Sequence, residues 1–196
     1  MGLTSGSMFN LPKEIIIWDS EWTCWPGSSD IAWTGPNESR ELVQIGAVRV
    51  RTTDFAELDK LEILIKPAIS PVLSDYFVKL TGITQAKLNK EGKSFREACQ
   101  LFFDWAGSAN LYSWSLDDFW VLAETCKLNN MILPVAKNRF FDVRIIFWKA
   151  GVPAENYQSS TIIKAFKQKP KRQAHNALND AQTIINALRA LSRLSS

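Results

Sequence analysis

Hydrophobic and polar positions follow two rhythms along this chain. Residues 14–18 (EIIIW) form a short, β-branched apolar run that predicts a buried strand, and it ends on Asp19, Ser20 and Glu21. Residues 41–51 (ELVQIGAVRVR) and 58–66 (LDKLEILIK) predict two more strands, joined by a Thr-Thr-Asp turn. Between the first two lie residues 24–40, rich in Trp, Pro, Gly, Ser and Asn, which read as a long loop. Three consecutive strands with no helix between them imply an antiparallel meander.

The second half changes to the helical rhythm. Pro67 and Pro71 close the third strand, and Ser74 is the N-cap of a short helix through Leu80, broken by Thr81-Gly82-Ile83-Thr84. Ser94 and Glu97 make a capping box for a helix over 95–105, with Phe95, Ala98, Cys99, Phe102 and Trp105 on one face. A fourth strand is expected over 109–113 and an amphipathic helix over 116–128. Residues 139–150 (RFFDVRIIFWKA) are apolar nearly all round and predict one well-buried helix, stopped by Gly151 and Pro153. A short helix over 161–167 and a last one over 177–194, with Ile184, Leu188 and Leu191 inward, complete the series. The fold class is therefore α/β, a mixed sheet flanked by helices, in one domain over 11–196. Residues 1–10 are read as a disordered tail or expression remnant.

Composition narrows the classes. The 196 residues suit one core, and 46% hydrophobic with 22% charged residues fits a folded soluble protein. No apolar run approaches the roughly 18 residues of a membrane span and no secretory signal opens the chain, so a membrane partner is not expected. Three cysteines without C-x-x-C spacing imply reduced thiols and a cytoplasmic location. The single histidine, His175, rules out a zinc site built on several imidazoles. The net charge of +3 says little about nucleic acid.

The chemistry-bearing residues start with Asp19 and Glu21. Strand alternation puts both carboxylates on one face, where they repel each other and stay ionised only around a cation. The alternative is a strand running out into a solvated acidic loop. Further carboxylates stand at Asp117-Asp118, at the start of a helix, and at Asp180, five residues after His175. Helix-dipole compensation, a solvated helix face and a surface imidazole are the competing readings of these.

In order, the chain shows WDSEWTC, ELVQIGAV, YFVKLTGITQ, YSWSLDDFWVL and AHNALNDAQTI. The set resembles the DEDDh (DnaQ-like) 3′-to-5′ exonucleases of the RNase H-like fold, and is most similar to the small Eri-like branch that trims RNA 3′ ends. The resemblance implies a metal ligand set of Asp19, Glu21, Asp118 and Asp180, with Asp117 the alternative to Asp118, and His175 as general base. It implies two Mg²⁺ ions, with Mn²⁺ as a substitute, because such ions clamp the attacking and leaving oxygens of a phosphodiester and accept carboxylate ligands. His175, with an ordinary pKa near 6.5, suits proton removal from the attacking water near neutrality. On a helix, five residues separate by about 140°, so His175 is expected on the loop leading into the helix of Asp180.

The same resemblance points to Trp22, Thr23, Leu80 and Ile83 as contacts to the terminal nucleotide, and the basic run ending in Lys171 and Arg172 offers backbone phosphates a partner. The expected activity is release of nucleoside 5′-monophosphates from the 3′ end of single-stranded nucleic acid, RNA favoured over DNA on resemblance alone. The rival readings are a DNA-directed exonuclease of repair or proofreading type and a catalytically silent nucleic-acid-binding module of the same fold.

Overall fold

The apolar run near the N-terminus becomes the central strand of a five-stranded sheet in the computed structural model, which describes residues 11–36 and 38–194. Strand β1 (Glu14–Trp22) is flanked by β2 (Leu42–Arg51) in antiparallel and by β4 (Leu111–Ser113) in parallel register. β3 (Ala56–Leu64) continues the meander beyond β2, and β5 (Phe140–Asp142) pairs in parallel beyond β4, giving the order β3-β2-β1-β4-β5. The tail predicted over 1–10 lies outside the described residues.

Alternation along β1 divides the core. Ile15 and Ile17 pack on one face against α6 (Ala177–Leu194) and Phe147, while Ile16 and Trp18 pack on the other against α3 (Phe95–Ala106) and α4 (Asp117–Leu128). All four of those β1 side chains have no solvent exposure. Their burial, at about 25 cal/mol per Å² of apolar area, fixes the register, because a one-residue slip would exchange the two faces and everything beyond them.

Local signals place most other elements. α1 (Asp75–Thr81) starts at Ser74, whose hydroxyl accepts from Phe77 N at 3.0 Å, and stops at Gly82 in the left-handed region, φ 75°. The capping box of α3 is formed, and the last helix has the limits its pattern predicts. A helix the pattern does not show, α2 (Gln85–Glu91), follows Thr84 as N-cap and buries only Leu88. The residues 161–167 tighten into a 3₁₀ turn over Ile162–Phe166.

One predicted element is overturned. The single buried helix expected over 139–150 is β5 followed by a short helix, α5 (Arg144–Lys149). The break is at Asp142, whose carboxylate accepts from the backbone N–H of Arg144 at 2.9 Å and pairs with the Arg144 guanidinium at 2.6 Å. Phe141 stacks on Tyr112 of β4, and Ile145 and Trp148 stay 46% and 42% exposed, so the segment is not apolar-packed all round. Among the described residues, no helix is long and apolar enough to cross a membrane.

Candidate active site

Asp19 and Glu21 continue the parity of Ile15 and Ile17, so both carboxylates leave β1 on the face covered by α6. Asp180, in the first turn of α6, meets them there: one carboxylate oxygen from each of the three lies within 4.8 Å of the others, and all three residues are buried. Burial, the mutual repulsion and the nearby Asp118 push the pKa values of Asp19 and Glu21 well up, and burial raises that of Asp180 to about 7. Three buried carboxylates at this spacing, with no Lys or Arg among the residues lining the cleft around them, are an oxygen donor set that fits a divalent cation such as Mg²⁺.

The start of α6 is held down on β2. Gly46, opposite Asp19 in the sheet, carries no side chain because a Cβ there would meet Leu178 N at 2.1 Å. Gln44, opposite Glu21, is fully buried; its Oε1 accepts from Ala177 N at 2.9 Å and its Nε2 donates to Glu62 at 2.7 Å. Asn176 caps the helix by accepting from Asn179 N at 3.1 Å. His175 precedes that cap on the loop, as expected from its spacing, with φ 58° and its backbone N–H directed at Asp180 Oδ2, 3.3 Å away. Partial burial lowers its imidazole pKa, keeping it neutral at physiological pH.

Asp118 lies on the other side of β1. It is buried and accepts from the Ser20 hydroxyl at 2.7 Å, outside the three-carboxylate group, and burial raises its pKa to about 7. It is nevertheless the neighbouring charge that weighs most on Asp19. Asp117 is exposed, lines the same cleft and accepts from the Ser115 hydroxyl at 2.9 Å.

These groups stand in a cleft of about 580 Å³. Trp22 and Leu80 line it, Trp22 meeting Trp33 edge-on at 6.4 Å. Thr23 and Ile83 do not reach it. Thr23 is 2% exposed, its hydroxyl accepting from Glu41 N at 2.9 Å and donating to Ser39 O to close the base of the 24–40 loop, and Ile83 packs in the core with Phe77 and Leu88. Lys171 and Arg172 do not line it either; Lys171 faces a separate cavity. Sequence reasoning missed Trp114, Tyr76 and Ser159 in the cleft, the last 3.5 Å from Asp180 Oδ2. They come from loops and a short helix with no periodicity to mark them.

A meander of three strands extended by two parallel ones, with carboxylates from β1 and the last helix meeting over it, is the RNase H-like exonuclease architecture. The family model described as Exonuclease (RNase_T) matches residues 16–188, and the chain belongs to that family. The 3′-5′ exonuclease Snipper of Drosophila melanogaster is 26% identical, over 87% of this chain and 66% of its own length. Human 3′-5′ exoribonuclease 1 is 24% identical, over 87% of this chain and 50% of its own length. The chain thus spans between half and two thirds of these relatives. Among solved structures, the nuclease domain of 3′hExo, a DEDDh family member bound to rAMP, superposes with a TM-score of 0.78 at 22% identity, covering 93% of this chain and 92% of that one. Escherichia coli Exonuclease I in complex with a dA16 oligonucleotide gives 0.67 at 14% identity, over 93% and 41%.

Proposed function

We propose that residues 11–196 form one exonuclease domain that removes nucleoside 5′-monophosphates from single-stranded 3′ ends, RNA ahead of DNA. The observation that carries this is the set of three buried carboxylates, Asp19, Glu21 and Asp180, with His175 at its edge in the same cleft. Family membership and relatives named as a 3′-5′ exonuclease and an exoribonuclease support it. No position of the Asp, Glu, Asp, His, Asp set is substituted, which argues against a silent module.

Asp19, Glu21 and Asp180 would hold two Mg²⁺ ions, or Mn²⁺ in their place, with Asp118 as the fourth carboxylate; the ions would supply charge neutralisation to the phosphodiester and its leaving oxygen. His175 takes the proton of the attacking water, its pKa lowered by burial so that the neutral form is available. The Asp180 carboxylate accepts from the backbone N–H of His175 and so holds that backbone beside the cleft. Trp22 stacks on the terminal base, a contact worth about 1–3 kcal/mol, while Leu80 packs beside it. Thr23 and Ile83 shape this wall from behind. The three free cysteines support a reducing, cytoplasmic setting.

A time course on matched 5′-labelled single-stranded RNA and DNA, with Mg²⁺, Mn²⁺ or EDTA and beside Asp19→Ala, tests the reading. A metal-dependent ladder shortening from the 3′ end, absent in the variant, is expected, and faster on RNA. Binding without a ladder under any metal would return the silent module, and a faster DNA ladder the DNA-directed enzyme.

A further inference from the structure

A second concavity lies behind the loop that carries His175. It has a volume of about 190 Å³, and its walls include Lys169 and Lys171 from that loop and Thr183, Asn186, Arg189 and Arg193 along α6. No Asp or Glu lines it. Arg189 is tethered: its Nε donates to Phe55 O at 2.8 Å and its guanidinium lies 3.7 Å from Glu57. Lys169, Lys171 and Arg193 are exposed and have no ion-pair partner among the described residues. Asn186 accepts from Arg189 through Oδ1 at 3.1 Å, which leaves its amide hydrogens as donors. The hole is thus edged by two ammonium groups, a free guanidinium and an amide, an arrangement short of acceptors and of negative charge.

Such a set suits a group with several anionic oxygens, and a phosphate is the one that fits the place. α6 carries both Asp180 and this stripe. At about 1.5 Å and 100° per residue, Asn186 and Arg193 stand roughly 9 and 20 Å along the helix from Asp180 and about 120° and 140° round it, so a strand reaching them crosses the flank of α6. A stacked strand advances about 3.4 Å per phosphate, so the axial span alone takes roughly three to six nucleotides. We propose that the cavity is an exosite for the backbone phosphates of the strand being degraded, upstream of its 3′ end. This deepens the exonuclease reading and rests on it. It gives the expected phosphate contact of Lys171 a place away from the cleft, and it recruits Arg193, which no sequence motif connects with the site.

The test is the triple variant Lys169→Gln, Lys171→Gln, Arg193→Gln, whose three sites are exposed, with its melting temperature checked against the parent. Fluorescence anisotropy in EDTA is measured for a 16-nucleotide single strand and for a dinucleotide, across salt concentrations, beside Mg²⁺-dependent cleavage of both. The expected result is a loss of about tenfold or more in affinity for the 16-mer and a salt slope shallower by about 2, from three contacts at about 0.7 each. The dinucleotide should be bound and cleaved as by the parent. Equal losses on both substrates would overturn the exosite, and so would no loss on either. Binding of 5′-AMP that the variant loses while keeping the 16-mer would assign the cavity to the released nucleotide instead, which also overturns it. If the parent binds the 16-mer through these three residues and yet cleaves nothing with Mg²⁺ or Mn²⁺, the exosite stands and the exonuclease reading fails.

Discussion

His175 and the paired aspartates of α4 carry the sharpest tests at the level of single residues. His175→Ala removes the proposed base and none of the carboxylates, so kcat should fall about 10²- to 10⁴-fold with little change in Mg²⁺ dependence. In the parent, the acid limb of the pH–rate profile should lie below 6.5, since burial depresses the imidazole. An unchanged rate in the variant would remove His175 from the mechanism. Asp118→Asn should be inactive and Asp117→Asn within about tenfold of the parent, because Asp118, and not Asp117, bears on Asp19. The reverse pattern would move the fourth carboxylate by one position. What was legible here follows from period: Asp19 and Glu21, two apart on a strand, had to share a face. Ser20, one residue off, had to take the other face, and its bond to Asp118 follows from that. Ser159 and Trp114 were not legible, because a loop's contacts depend on where the rest of the chain brings it. Thr23 sits next in sequence to cleft residues and Ile83 three residues after one, and closeness in sequence misled: their side chains are buried in the fold.

At the level of elements, the site depends on where α6 begins. The helix dipole and its unpaired N–H groups are met by Gln44 and Asn176, and Gly46 sets the distance to the sheet. Gly46→Ala should force the start of α6 away from β2, costing about 1–3 kcal/mol and moving Asp180 off the other two carboxylates. Gln44→Leu should leave the Ala177 N–H without a partner and lower activity about 10- to 100-fold, with more Mg²⁺ needed for half-maximal rate. Both are measured at a temperature where circular dichroism shows the variants folded; parental kinetics in either would sink this role. The limits of α6 could be read from its apolar stripe, and those of α3 from its capping box. The 139–150 segment could not, because short, mostly apolar runs satisfy a strand and a buried helix equally, and only pairing of β5 with β4 decides. α2 was missed because a helix that buries one residue in seven leaves no amphipathic trace.

For the whole molecule, the carboxylates link folding to pH and metal. In the folded chain Asp118 and Asp180 titrate at about 7 against an ordinary 3.8, and Asp19 and Glu21 are raised as well. Without metal, each of these groups keeps its proton in the folded state over a range where the unfolded chain has lost it. Stability present below the ordinary carboxyl value is therefore lost as pH rises from there through the folded values, and for Asp118 and Asp180 the loss is complete above about 7. His175 acts in the opposite sense, weakening the fold as pH falls below 6.5, but it is one partly buried group against four carboxyls. In EDTA the melting temperature should therefore be lower at pH 8 than at pH 5.5, by roughly 5 °C or more at 2–4 °C per kcal/mol for a chain of this size. Mg²⁺ binds the ionised set, so it should raise the melting temperature strongly at pH 8 and little at pH 5.5, with half-effect in the millimolar range typical of weakly held Mg²⁺. Asp19→Ala removes the central repelling charge. It should melt higher than the parent in EDTA at pH 8 and lose most of its response to Mg²⁺. Equal melting temperatures at the two pH values in EDTA, or an equal Mg²⁺ shift at both, would mean that the three carboxylates do not share a buried, cation-dependent site. A variant that melted lower than the parent in EDTA would show that Asp19 supports the fold directly, through its bonding and packing, rather than straining it until a cation arrives.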